Sequence, residues 1–202
     1  MSNILILNGA QPYEFAPGAL NAAFVGRARR FFETQGHDVR VTTVAEGYDA
    51  NAEVENHVWA DVVVMQFPVN WMGVPWSLKK YMDDVYTAGM DGRLCAGDGR
   101  TAEAPTANYG MGGTLTGTKY MLSVTFNAPK QAFDDPSEPF FAGDNVDDLL
   151  RPVHLNARFF DMTALPTFAA FDVMKNPQIE ADFARFDAHL TQYFGDQAHV
   201  AA

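Results

Sequence analysis

Pro68-Val69-Asn70-Trp71-Met72-Gly73-Val74-Pro75 sets an indole, a thioether, a carboxamide and a glycine between two prolines. The prolines narrow the backbone's choices of φ, and the glycine admits another backbone or a flat ring. The indole and thioether offer broad, polarisable faces. Such a segment can wall a rigid slot for a planar aromatic cofactor. It equally describes an ordinary strand-to-helix loop with a buried tryptophan, and composition alone does not separate the two. A second turn, Thr125-Phe126-Asn127-Ala128-Pro129, adds a hydroxyl, a carboxamide and main-chain N–H groups beside an aromatic. Those groups suit the polar edge of a ring system that gains negative charge on reduction. A turn built on Asn127 and Pro129 for ordinary reasons is the alternative.

The loop from Gly9 to Gly18 feeds a helix. Pro17 suits the first helical position, and Ala16 has no side-chain acceptor with which to cap the helix. Free N–H groups and a positive dipole end then make a phosphate seat. The loop holds no lysine or arginine, so main-chain donors would do the binding; capping by water or a neighbouring side chain is the plainer alternative. Tyr109-Gly110-Met111-Gly112-Gly113 is either a pocket wall or a hairpin turn. His154, beside Pro152 and Leu155 on an apolar helix near the carboxyl side of the sheet, is a core or surface histidine, or a group that contacts or protonates substrate.

Other chemistries fail on spacing. Gly112 to Lys119 reads G-x-x-x-x-G-T-K, with the lysine one place late for a phosphate-binding P-loop and a strand following it. No G-x-G-x-x-G opens a helix, and no G-x-S-x-G exists among the four serines. The five histidines are scattered, which argues against a zinc site. Adjacent pairs such as Asp83-Asp84 do not share a helix face and read as solvated charge.

Elements that position these segments follow from periodicity. Apolar runs at Asn3–Asn8, Val39–Val44, Ala60–Phe67, Lys119–Phe126 and Met162–Val173 read as strands. Helical spacing covers Gly18–Gln35, Asn51–Trp59, Trp76–Tyr86, a stretch between Val146 and Phe160, and Ile179–Phe194. Gly89–Thr118 reads as an insertion or hairpin, Phe133–Gly143 as a surface loop, and 195–202 as a frayed tail. Five strands alternating with helices predict one α/β domain over 1–202, a doubly wound parallel sheet of flavodoxin-like order 2-1-3-4-5. That order opens a crevice between the ends of strands one and three, where the first loop and the Trp71 loop would face each other.

Composition sets the remaining bounds. With 202 residues, 48% apolar and 19% charged, the chain can bury a core. The single cysteine, Cys95, excludes an internal disulfide. A net charge of −11 argues against nucleic acid and anionic membrane surfaces. No apolar run approaches a membrane span, and a cytoplasmic location is expected.

Taken together and in order, the P-x-x-W-M-G-x-P loop, Lys79-Lys80-Tyr81 with Asp83-Asp84-Val85, Asp98-Gly99-Arg100-Thr101 and Thr125-Phe126-Asn127-Ala128-Pro129 resemble the bacterial modulator of drug activity B family. With Asn3-Ile4-Leu5-Ile6 and Asn8-Gly9-Ala10, the resemblance runs from the first strand to Leu165-Pro166-Thr167-Phe168. It implies an FAD-dependent NAD(P)H:quinone oxidoreductase, with NADPH the favoured donor and a quinone the substrate, reduced by two-electron hydride transfer in a ping-pong scheme. It also implies a homodimer with FAD near the subunit interface. Carried over, the pyrophosphate seat is Ala16, Pro17, Gly18, Ala19, Leu20, Asn21, Ala22 and Ala23. The flavin slot takes Val69, Asn70, Trp71 and Met72 with Thr125, Phe126, Asn127 and Ala128, and Tyr109 is its wall; Trp71, Phe126 and Tyr109 would stack on planar substrates. Tyr109 and His154 are the candidates for proton delivery. The chain departs from the family at Ala16, where serine is frequent, at Gln11 and Pro12, where a basic residue is usual, and at Val69-Asn70, where glycine and an aromatic are frequent. A lost hydroxyl contact costs on the order of 1 kcal/mol. An FMN-binding electron carrier and a non-redox binding module are the alternatives; a carrier leaves the flavin edge exposed, and a binding module takes no flavin.

Overall fold

A computed structural model describes residues 1–195. Apart from Gly195, the expected tail lies outside the described residues. Six strands form one parallel sheet: β1 (Asn3–Asn8), β2 (Asp38–Thr43), β3 (Val62–Pro68), β4 (Lys119–Thr125), β5 (Thr163–Ala164) and β6 (Phe168–Ala170). Their order is β2-β1-β3-β4, with β5 and β6 both pairing with β4. The predicted fifth strand is thus one edge strand in two pieces. Leu165 still donates to Tyr120 O at 2.7 Å, but Pro166 has no N–H to give. Pairing resumes at Phe168 opposite Ser123.

Helices α1 (Ala19–Thr34), α2 (Ala50–Trp59), α3 (Trp76–Ala88), α4 (Val146–Leu149), α5 (Arg151–Phe159) and α6 (Ile179–Phe194) cover the two faces. Alternation along β1 assigns the layers. Ile4 and Ile6 join Phe24, Phe32, Phe186 and Leu190 under α1 and α6, while Leu5 and Leu7 join Val54, Tyr81, Val85 and Val153 under α2, α3 and α5. Both faces are covered, so β1 and β3 are continuous apolar runs. The edge strand β2 has no buried residue, and Asp38, Arg40 and Val41 are exposed.

The helix predicted between Val146 and Phe160 is two helices. Pro152 cannot donate to the carbonyl of Asp148, and Leu150 ends α4 and begins α5. Asn145 and Asp148 close a reciprocal cap on α4. In the Gly89–Thr118 insertion the hairpin is reduced to one bridge, Cys95 to Gly113, flanked by bonds from Ala96 to Gly112 O (2.8 Å) and Thr114 to Leu94 O (3.0 Å).

Between α2 and α3 the core holds a polar cluster. Tyr81 donates to Glu53 Oε2 at 2.8 Å, and Asn56 and Thr42 also donate to Glu53. The Tyr81 proton is thereby committed, so His57 Nε2–H donates to the Tyr81 oxygen at 3.2 Å. Burial pushes the His57 pKa down from 6.5 to about 4, so the folded ring is neutral where the unfolded one is charged. This contribution is whole above pH 6.5 and is lost as pH falls towards 4, a loss of about 3 kcal/mol. Thermal melting is expected to weaken across that window, and His57→Gln should flatten the dependence. A variant as pH-sensitive as the parent would remove His57 as the cause.

Candidate active site

Two tight turns rise beside each other at the carboxyl end of the sheet. In the first, Tyr13 and Ala16 exchange main-chain hydrogen bonds, both 3.0 Å, and the Tyr13 and Phe15 rings stack at 5.6 Å. In the second, Asn70 and Gly73 do the same at 2.9 and 3.1 Å. Trp71 (φ 49°) and Met72 (φ 65°) occupy its centre. Left-handed φ at both central residues marks a type I′ turn, which favours Asn or Gly and strains other residues by about 1–3 kcal/mol each. At the tip of this turn Trp71 stands outward, 97% exposed. The buried tryptophan of the alternative reading is therefore absent.

Between and beneath these turns lies a cleft of about 590 Å³, within the range of about 300–1,000 Å³ usual for cofactor sites. Ala10, Gln11, Tyr13 and Phe15 line it from the first loop, and Ala16 to Asn21 from the start of α1. Pro68 to Trp71 line it from the end of β3, Thr125 and Asn127 from the end of β4, and Val173 and Met174 from beyond β6. No lining side chain carries a formal charge. Pro17 sits outside the helix; Gly18 is the N-cap at φ 83°, with no side-chain cap bond. The first carbonyl used is Gly18 O, by Ala22 N at 3.0 Å. The N–H groups of Ala19, Leu20 and Asn21 thus have no partner among the described residues, at the positive end of a sixteen-residue helix. Three clustered main-chain donors fit a diphosphate without a cationic side chain.

Behind the cleft's Asn21 and Thr125 runs a buried polar chain on the α1 face. Ser123 Oγ lies 2.6 Å from Gln66 Oε1, Gln66 Nε2 lies 2.8 Å from Asn21 Oδ1, and Asn21 Nδ2 lies 3.4 Å from Thr125 Oγ1. All four residues are buried.

Several predicted site residues stand elsewhere. Phe126 is a core side chain, stacked on Phe171 at 5.5 Å and packed against Phe133, so it offers no face to a substrate. Met72, Ala128, Ala22 and Ala23 do not line the cleft. Tyr109 is exposed, edge-on to Phe159 and within 5.6 Å of the Arg100 guanidinium. His154 is at the wrong end of the strand. Its Nδ1 accepts from Tyr120, the second residue of β4, at 2.7 Å, and its Nε2 donates to Asp147 at 3.2 Å. That bond holds the Asp147 carboxyl below its usual range, while burial and Asp147 push Tyr120 up to about 12. This is a structural relay on the α5 face, and neither of its ends lines the cleft. Val173 and Met174, missed in the sequence, follow a strand end, the position where ligands bind in such sheets.

A flavodoxin-like fold family model matches residues 2–194. The NADPH:quinone oxidoreductase MdaB of Haemophilus influenzae is 43% identical over 96% of this chain and 100% of its own. The chain belongs to this modulator of drug activity B family. An uncharacterised Schizosaccharomyces pombe protein is 45% identical over 95% of this chain and 97% of its own. A solved Klebsiella pneumoniae structure with a provisional quinone-reductase name superposes with a TM-score of 0.76 at 23% identity, over 96% of this chain and 86% of that one. That likeness bears on the fold. Within the family frame the cleft lies where the sheet order reverses between β1 and β3, the expected ligand crevice of a doubly wound sheet.

Proposed function

We propose that this chain is an NAD(P)H:quinone oxidoreductase that carries FAD in the cleft between the Tyr13–Ala16 and Asn70–Gly73 turns. Its class as an oxidoreductase follows from its family. The observation that supports the finer reading is the meeting of unpaired helix N–H groups, an outward indole and a buried carboxamide chain in one uncharged crevice. When bound, the flavin supplies hydride acceptance from NAD(P)H and two-electron delivery to a quinone in successive half-reactions. The chain's own part is binding and orientation. The N–H groups of Ala19, Leu20 and Asn21 take the diphosphate, with Ala16, Pro17 and Gly18 shaping its approach. Val69, Asn70 and Trp71 wall the ring, with Met72 holding the turn. Thr125, Asn127 and the main chain at Phe126 and Ala128 serve its polar edge. Ala22 and Ala23 enter only as the helix behind the seat, and His154 lies outside the cleft.

An uncharged crevice suits neutral quinones. NADPH as donor, a cytoplasmic location and a homodimer with the cofactor near its interface belong to the same reading. Trp71, Phe15, Trp76 and Tyr109 are all strongly exposed on the single chain, and Tyr109 enters the site only by facing a second copy. Among the described residues no helix is long and apolar enough to cross a membrane. The purified protein is expected to show flavin absorbance, alone or after adding FAD, and to oxidise NADPH rapidly only when a small quinone is present. Chromatography of the acid-released cofactor should give FAD; FMN would turn the reading towards the carrier, and a colourless protein after FAD addition would remove both.

A further inference from the structure

Gln66 is a lone carboxamide in an apolar strand, 1% exposed, and it does not line the cleft. It is the middle of the chain Ser123–Gln66–Asn21–Thr125. Rotating the two amides allows this chain two polarities with the same heavy-atom positions. In one, Ser123 donates to Gln66, Gln66 to Asn21, and Asn21 to Thr125. In the other, all three bonds reverse. Each amide keeps one spare N–H in either state; the two states differ in where those point and in which hydroxyl is left with a free hydrogen.

The reversed polarity leaves that hydrogen on Ser123, at 0% exposure, where Gln66 is the one described partner of Oγ. A buried donor without an acceptor is costly, whereas a hydroxyl oxygen with a spare lone pair is tolerated. The forward polarity leaves the hydrogen on Thr125, which lines the cleft and whose oxygen already accepts from Asn21. We propose that Gln66 is a positioning residue that fixes the polarity of this chain and so makes Thr125 a hydrogen-bond donor to the acceptor edge of the bound ring. A donor aimed at an edge that gains negative charge on reduction favours the reduced ring over the oxidised one. A carboxamide is the side chain suited to this place, since it accepts at one atom and donates at the other. The inference rests on the reading that the cleft holds flavin.

The test is a double-mutant cycle of Gln66→Met, which keeps the volume, and Thr125→Val, which removes the hydroxyl. The readout is the ratio of dissociation constants for oxidised and reduced FAD, measured as the two-electron potential of the bound cofactor. Each single variant is expected to shift that ratio about tenfold against the reduced form, about 30 mV for a two-electron couple. The double variant should shift it no further than Thr125→Val alone. Ser123→Ala, which removes the group that selects the polarity, should give a smaller shift of the same sign and serves if Gln66→Met does not fold. A wild-type protein with FAD whose potential is unmoved by these variants, or moved additively, overturns the inference and leaves the function standing. A wild-type protein that takes up no flavin overturns both.

Discussion

Replacing Trp71 with alanine is expected to leave the fold intact and to weaken FAD binding about 30-fold. The indole is 97% exposed at the tip of its turn, and the turn is closed by the main chains of Asn70 and Gly73. Removing such a side chain changes stability by no more than about 0.5 kcal/mol. An aromatic wall against a bound ring is worth about 2 kcal/mol, which corresponds to about 30-fold in affinity. Thermal melting and a flavin fluorescence titration measure the two effects separately, and Trp71→Phe should restore most of the binding. If the alanine variant unfolds, the indole is supporting the fold in a way the turn geometry does not provide. If affinity is unchanged, the indole is not a wall of the slot.

Gly113→Ala is expected to cost about 3 kcal/mol of stability or more. A Cβ there would stand 2.2 Å from the carbonyl carbon of Phe160, 2.3 Å from Asp161 N and 2.6 Å from Phe160 O. All three are main-chain atoms just past the end of α5, next to the Leu115-to-Phe160 hydrogen bond of 3.0 Å that ties the insertion to that helix end. Neither side can yield by turning a side chain. Gly89 is a useful contrast, because the three atoms nearest a Cβ there all belong to the Leu94 side chain, which can shift. Urea denaturation should therefore place Gly113→Ala well below Gly89→Ala. Equal midpoints would mean that the insertion is free to move away from α5.

The layout of the sheet was readable because its causes are local. Continuous apolar runs at Ile4–Leu7 and Val62–Met65 declare strands covered on both faces, and the period of Ile179–Phe194 marks its helix to the residue. The crevice could be placed from topology alone, since strand order determines where loop ends diverge. What escaped depends on contacts that sequence spacing does not encode. Pro166 and Pro152 were visible, yet where they would break their elements depends on which carbonyl and which partner strand lack a donor. The outward Trp71 was hidden because a type I′ turn normally announces itself with Asn or Gly, and here tryptophan and methionine adopt it. Phe126 alternates with cleft-facing Thr125, so its burial follows from strand period; reading the turn as one unit obscured that. His154 was misplaced because a helix beside an edge strand can approach either end of it, and only the bond to Tyr120 decides which.

The rims of the crevice are self-contained hairpin bends, each fastened at its own base by a reciprocal pair of main-chain N–H-to-carbonyl hydrogen bonds, Tyr13 with Ala16 and Asn70 with Gly73. What stands at their tips is therefore uncoupled from strand alignment. Positions 14 and 15, and positions 71 and 72 among residues that accept a left-handed backbone, can be exchanged like fittings on a fixed mount, so the flat molecules admitted can change without renegotiating how the chain folds.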